Sequence, residues 1–311
     1  MVSAVGLGCN NLGRPGTATA DRAGTTALVD AALECGITLF DVADAYGSPR
    51  GRSEELLGEA LSGRRDRAMI ATKFGTDMNG ANGPDFGARG SRRYIRQAVE
   101  ASLRRLGTDW IDLYQLHQPD PVTPIEETVA ALDDLVHAGK IRYWGHSNLA
   151  GWQIADASWT ARSARQCQPV SAQNHYSLLE RDAEREVVPA CERFGLGLLP
   201  YFPLASGLLT GKYSADAAPP ERSRLASRAQ RLAEAPWDRI EGLRSFAERS
   251  GVSMLDVAIG GLAAQPAVAS VIAGATTPAQ VKANASAGEW RPDQQDPQEI
   301  DKICPPAHPG V

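Results

Sequence analysis

Short β-rich runs alternate with stretches of helical spacing along the whole chain, and this alternation limits the fold more than any other feature. The runs cover residues 5–7, 37–40, 68–71, 110–116, 141–144, 170–173, 196–201 and 268–272. Strands that alternate with helices imply crossover connections and therefore a parallel sheet. About eight such units is the number that closes a (β/α)8 TIM barrel. The 311 residues would also accommodate two domains; we read 1–311 as one α/β barrel domain. The competing fold is an open doubly wound sheet. It is disfavoured because Gly6-Leu7-Gly8-Cys9-Asn10-Asn11 lacks the third glycine of GxGxxG after the first strand.

The helical stretches carry their own signals. Over residues 91–106, Ile95, Val99, Leu103 and Leu106 share a face, and Arg92, Arg93, Arg96, Arg104 and Arg105 lie mostly off it. Pro124 followed by Glu126 and Glu127 opens another helix, which Gly139-Lys140 stops. Two segments break the rhythm: a Gly/Asn/Asp-rich loop at 75–90 and a long insertion at 203–235. Long loops in compact domains are functional or disordered. The Pro- and Asp-rich tail, 290–311, is expected to pack on the surface or fray.

Composition narrows the function classes. A net charge of -5 argues against a nucleic-acid partner. No apolar run is long enough to span a bilayer, and the start MVSAVGLGCNNLG lacks the basic and apolar regions of a signal peptide. Cys9, Cys35, Cys167, Cys191 and Cys304 are odd in number and scattered, without a CxxC pair. That pattern fits reduced thiols in a cytoplasmic protein and gives no hint of a zinc cluster.

In a barrel the active site lies at the carboxyl ends of the strands. There the sequence places Asp41 and Tyr46, then Lys73, then His117, and then His146, Ser147 and Asn148. Gln173 and Asn174, Tyr201 and Gly274 follow. A carboxylate, a phenol, an ammonium and an imidazole at one mouth suggest proton transfer to a carbonyl oxygen while something else delivers hydride to carbon. A nearby lysine favours the phenolate, which lowers the tyrosine pKa toward working pH. Asp44 reads as a solvated or loop-capping carboxylate at the pocket rim. His146 and His175 read as packing neighbours. A metal held by Asp41, Asp44 and His117 is disfavoured, because Lys73 puts a cation where the metal would sit.

The successive segments FDVADAYG, ATKFG, DLYQLHQPD, YWGHSN, SAQNHYSLLER, PLASGLLTGKY and IAGATTPAQVKAN resemble the signatures of the aldo-keto reductases. The resemblance is closest to the bacterial branch related to potassium-channel β subunits. It implies a barrel that binds NADP(H) without a Rossmann fold and reduces aldehydes or ketones to alcohols. The family's catalytic tetrad carries over onto Asp41, Tyr46, Lys73 and His117. Tyr46 would be the general acid, Lys73 its tuner, Asp41 the partner of Lys73, and His117 the carbonyl-orienting group. Ser147, Asn148 and Gln173 match the nicotinamide amide contacts and Tyr201 the ring-stacking aromatic. Pro203, Leu204, Ser206, Gly207 and Lys212, with Arg224, match the pyrophosphate wrap. Gly274, Thr276, Gln280 and Asn284 match the adenosine-phosphate end, where Pro278 would start a helix whose N-terminus faces phosphate. Gly8, Cys9 and Asn10 complete the cofactor-binding set, with Cys9 near the nicotinamide.

The chain departs from the family in two places. Cys9-Asn10 stands where many members have Thr-Trp, which predicts a smaller and more polar pocket wall. The eighth-strand loop lacks the usual basic partners of a 2′-phosphate, and Ala283 replaces an acid that contacts adenine. Lys282 or an arginine of 203–235 would have to supply that charge. The readings that follow are an NADPH-dependent carbonyl reductase, a slow-turnover NADP(H)-binding redox sensor, and a Schiff-base aldolase using Lys73. The expected partner is a small carbonyl substrate. Monomer and homo-oligomer stay open.

Overall fold

The computed structural model describes residues 2–220, 225–226 and 228–307. Its sheet has eight strands: β1 (Val5–Gly8), β2 (Leu39–Asp41), β3 (Met69–Phe74), β4 (Ile111–Leu116), β5 (Ile141–Ser147), β6 (Ser171–Gln173), β7 (Gly197–Leu198) and β8 (Val271–Gly274). All neighbouring pairs are parallel and the order is β7-β6-β5-β4-β3-β2-β1-β8. The two ends meet. Leu198 pairs with Val268 and Tyr201 with Ile272, and the Ile272 amide donates to the Pro200 carbonyl at 2.9 Å. This closes the (β/α)8 barrel that the alternation predicts.

Between the strands run α1 (Arg22–Glu34), α2 (Arg52–Ala60), α3 (Arg92–Leu106), α4 (Ile125–His137), α5 (Gly151–Ser163) and α6 (Ala183–Phe194). Then follow α7 (Ala229–Ala233), α8 (Trp237–Arg249), α9 (Met254–Ala263), α10 (Pro278–Ala287) and α11 (Asp296–Ile303). α3 shows why such stretches form helices. Ser91 caps it by accepting from the Tyr94 amide, Gly107 ends it at φ 62°, and Ile95, Val99, Leu103 and Leu106 are buried as their spacing predicts. Arg105 departs from the expectation: its guanidinium turns inward onto buried Glu54, with Nε to Oε2 2.6 Å. The tail also differs from a frayed end. It holds α11, whose Ile300 is buried and whose Asp301 accepts from Arg181 at 2.7 Å.

Most of the apolar core lies between strands and helices. A separate small cluster, Leu39, Ala71, Leu199 and Ile272, fills the barrel interior. Side chains two apart on a strand share a face. Leu39 therefore aims Asp41 inward and Ala71 aims Lys73 inward, each just above the apolar plug at the carboxyl end. In the same layer Gln115 pairs in register with Lys73 on one side and with Gly145 on the other. Gly145 has no side chain because a Cβ would lie 2.1 Å from Ser171 Oγ, which donates to Gln115 Oε1.

Candidate active site

The strand ends bring the four proton-transfer groups together. Lys73 is fully buried, and its Nζ donates to both Asp41 oxygens (2.7 and 2.9 Å) and to the Val42 carbonyl (3.0 Å). The same Nζ lies 5.1 Å from the Tyr46 ring centroid. Tyr46 and His117 meet edge to face, with centroids 5.8 Å apart. The turn after Tyr46 is held by its carbonyl, which accepts from the Gly51 and Ser53 amides at 3.2 Å each. Gly47 permits this turn: its φ is 91°, and a Cβ would come within 2.7 Å of the Ser53 nitrogen.

The electrostatics follow from burial. Desolvation pulls the Lys73 ammonium down, but Asp41 and Tyr46 more than offset it, so its pKa ends above the ordinary lysine value. For Tyr46 the expected direction is overturned. Burial, the largest effect, raises the phenol; Lys73 pulls it back only in part, and Asp41 adds to the rise. Burial, helped by Lys73, lowers His117 to about 3, so the imidazole is neutral over the working range. Its Nδ1 is buried without a protein partner.

These groups open into a cavity of about 1120 Å³ at the carboxyl ends of the strands. Asp41, Tyr46 and His117 line one part of it. Ser147, Asn148, Gln173 and Tyr201 continue the wall, and Pro203, Leu204, Ser206, Gly207 and Lys212 extend it along the 203–235 loop. Gly8, Asn10, Gly274, Thr276, Gln280 and Asn284 also line it. Of the described residues expected on cofactor, one is not in this wall. Arg224 lies outside the described residues. Cys9 is a correction: it is fully buried, its Sγ hydrogen-bonds the Leu7 carbonyl, and burial raises its thiol pKa. On β1 the alternation turns its side chain away from the mouth.

Local bonding shows what each wall residue offers. Gln173 donates its amide to Asp41 Oδ1 at 2.8 Å, which ties it to the Lys73–Asp41 pair. Asn148, at φ 60°, donates to the His117 carbonyl (2.9 Å) and accepts from Tyr201 Oη (2.7 Å). His175 stacks on the Tyr201 ring at 5.5 Å. Ala205, Ser206 and Gly207 have successive positive φ of 46°, 62° and 106°, and the Ala205 and Gly207 amides donate to the Phe202 and Leu204 carbonyls at 2.9 and 2.7 Å. α10 begins at Pro278, and Thr277 caps it by accepting from the Gln280 amide. Its first turn faces the cavity, as Thr276, Thr277 and Gln280 all line it. Arg228, an arginine of the 203–235 loop, lines the same cavity, as does Arg14, which sequence reasoning missed; Lys282 is not in the wall.

Asp44 is the second correction. It is fully buried beneath the Tyr46 loop, not solvated at the rim. Its Oδ2 accepts from Asn82 at 2.8 Å and its Oδ1 has no partner. Burial, with Glu54 nearby, raises its pKa from 3.8 to about 8; Arg105 and Asn82 offset this in part. The folded chain therefore holds a proton here that the unfolded chain releases. That contribution to stability is complete below pH 4 and is lost as pH rises to about 8. Asp44→Asn mimics the protonated acid. Between pH 5 and 7 it should gain on the wild type by ~1.4 kcal/mol per pH unit in denaturant unfolding. A stability difference that does not change with pH would contradict this assignment.

Comparison with known proteins agrees with this geometry. A family model described as Aldo/keto reductase family matches residues 4–305. The chain is 36% identical over 288 residues to a probable voltage-gated potassium channel subunit beta of Oryza sativa subsp. japonica, covering 89% of this chain and 85% of that one. It is 36% identical over 284 residues to the uncharacterized oxidoreductase YrpG of Bacillus subtilis (89% and 86%). It is 38% identical over 250 residues to probable aldo-keto reductase 1 of Glycine max (78% and 69%). The chain belongs to the aldo/keto reductase family. Its activity class is accordingly nicotinamide-dependent oxidoreduction. No helix among the described residues is long and apolar enough to cross a membrane.

Proposed function

We infer that the protein is an NADP(H)-dependent reductase that converts small aldehydes or ketones to alcohols. One observation carries this reading: Tyr46, His117 and the Asp41–Lys73 pair converge at one part of a cavity whose remaining wall suits a dinucleotide. Amide side chains stand beside the catalytic groups. Farther along are Lys212 and a helix N-terminus, both suited to phosphates. When bound, the nicotinamide supplies hydride to the carbonyl carbon. Tyr46 gives its phenolic proton to the carbonyl oxygen, and Lys73 stabilises the phenolate left behind. Asp41 keeps Lys73 charged and in place. Neutral His117 orients the carbonyl without competing for the proton. Ser147, Asn148 and Gln173 would hold the carboxamide and Tyr201 would pack on the ring, and Asn10 leaves a small, polar wall.

The wall also bears on the choice of cofactor. Among the described residues of the wall, Arg14 and Arg228, besides Lys212, are cations that suit a 2′-phosphate. Replacing both with alanine should raise the KM for NADPH about tenfold, ~1.4 kcal/mol, and leave the KM for NADH nearly unchanged. An equal effect on both cofactors would remove them from this role. An NADPH-consumption screen over aldehydes, sugars, quinones and ketosteroids tests the function itself.

A slow-turnover redox sensor is the second reading, favoured by relatives named as potassium channel subunits. The aldolase reading loses ground. Lys73 is fully buried, bound by both Asp41 oxygens, and held charged, so its amine is not a free nucleophile.

A further inference from the structure

At the C-terminal end of α4 and in the chain entering β6, on the side of the barrel opposite the catalytic mouth, three metal-binding donor types meet. Asp133 and His137 lie four residues apart on α4, so they share one face of the helix. Cys167 comes from the segment between α5 and β6. A carboxylate oxygen, a ring nitrogen and the thiol sulfur lie within 4.8 Å of one another. His137 Nδ1 to Asp133 Oδ2 is 3.4 Å. A tetrahedral zinc with bonds of about 2.0–2.3 Å puts its ligand atoms roughly 3.3–3.8 Å apart, so the donors lie near the needed spacing once the His137 ring turns a free nitrogen toward the ion.

We propose that Asp133, His137 and Cys167 form a binding site for a borderline-soft divalent cation of the zinc type, with water completing the coordination. The donor set itself argues for this class. A thiolate and an imidazole select such ions over magnesium or calcium, which take oxygen ligands. The scaffold holds two of the three donors before any ion arrives. The Cys167 amide donates to Asp133 Oδ1 at 2.8 Å, which leaves Oδ2 turned to His137. The Trp144 indole N–H donates to the Cys167 carbonyl at 2.7 Å and anchors that segment to β5. The exception is His137: its Nδ1 donates to the Asp133 carbonyl at 2.9 Å, so the largely exposed ring must leave that contact to present a nitrogen lone pair to an ion. Pre-positioned ligands lower the ordering cost of binding. The site escapes a sequence scan because its members do not cluster: the helix pair and the cysteine become neighbours only when α4 packs beside the chain entering β6.

The test is a Co²⁺ titration of the full reduced chain, followed by absorption. The site predicts about one equivalent bound, with tetrahedral d–d bands and a near-ultraviolet sulfur-to-cobalt band that Zn²⁺ displaces. Cys167→Ser should abolish the sulfur band. His137→Ala and Asp133→Asn should each weaken Co²⁺ binding at least tenfold. Cys35→Ser, which changes the other incompletely buried thiol, should leave the titration unchanged. The far-ultraviolet spectrum of each variant reports whether it folds; an unfolded Cys167→Ser is replaced by Cys167→Ala. Absence of the band at millimolar Co²⁺, its survival in the Cys167 variant, or indifference to both α4 substitutions would overturn the proposal. None of these outcomes depends on the reductase reading.

Discussion

Tyr46→Phe is expected to lower aldehyde turnover roughly a hundred- to ten-thousandfold, the usual range for loss of a positioned general acid. NADPH affinity should stay within about twofold. The substitution removes one hydroxyl and keeps the ring that packs edge to face with His117. Burial holds the phenol above its ordinary pKa, so the group is protonated and ready to donate throughout the neutral range. His117 at about 3 stays neutral over the same range, and turnover should show no acid limb from it above pH 4. Steady-state kinetics beside fluorescence titration of cofactor separate the two quantities. Wild-type turnover in Tyr46→Phe would remove the phenol from the proton path.

Lys73→Met is expected to cost both activity and stability, the latter by ~3–5 kcal/mol, the range for breaking a buried ion pair from one side. Among the described residues, Asp41 would keep only the Gln173 amide as a side-chain partner, inside the buried barrel. Adding Asp41→Asn to Lys73→Met should recover much of the lost stability, because the uncompensated carboxylate is gone, but none of the lost turnover. Urea unfolding of the single and double variants reads the first effect. Equal stability of Lys73→Met and wild type would mean that the pair is not the keystone its geometry suggests.

The sequence shows Asp41, Lys73 and His117 clearly because strand ends are local features. A short apolar run announces the strand, and the residue just after it must face the mouth. The same logic fails for Cys9, which directly follows β1 but falls on the outward side of the alternation. Asp44 misleads for a different reason. Its place in a Gly- and Ala-rich turn reads as solvent, whereas Glu54, Asn82 and Arg105 close over it from α2, the 75–90 loop and α3. Distant segments create that environment, and no local pattern encodes it. Tyr46 combines both cases: its neighbour Lys73 is legible, but the burial that outweighs Lys73 is not. Arg14 and Arg228 likewise join the cavity only through the packing of the loops after β1 and β7.

A single-turnover stopped-flow measurement tests the central claim most directly. Protein loaded with NADPH is mixed with a panel of small aldehydes, and loss of nicotinamide absorbance is followed. The reductase account predicts a burst of cofactor oxidation near one equivalent with at least one aldehyde, matched by alcohol formed and absent from Tyr46→Phe. Tight NADPH binding with no oxidation by any member of the panel would contradict it and favour the sensor.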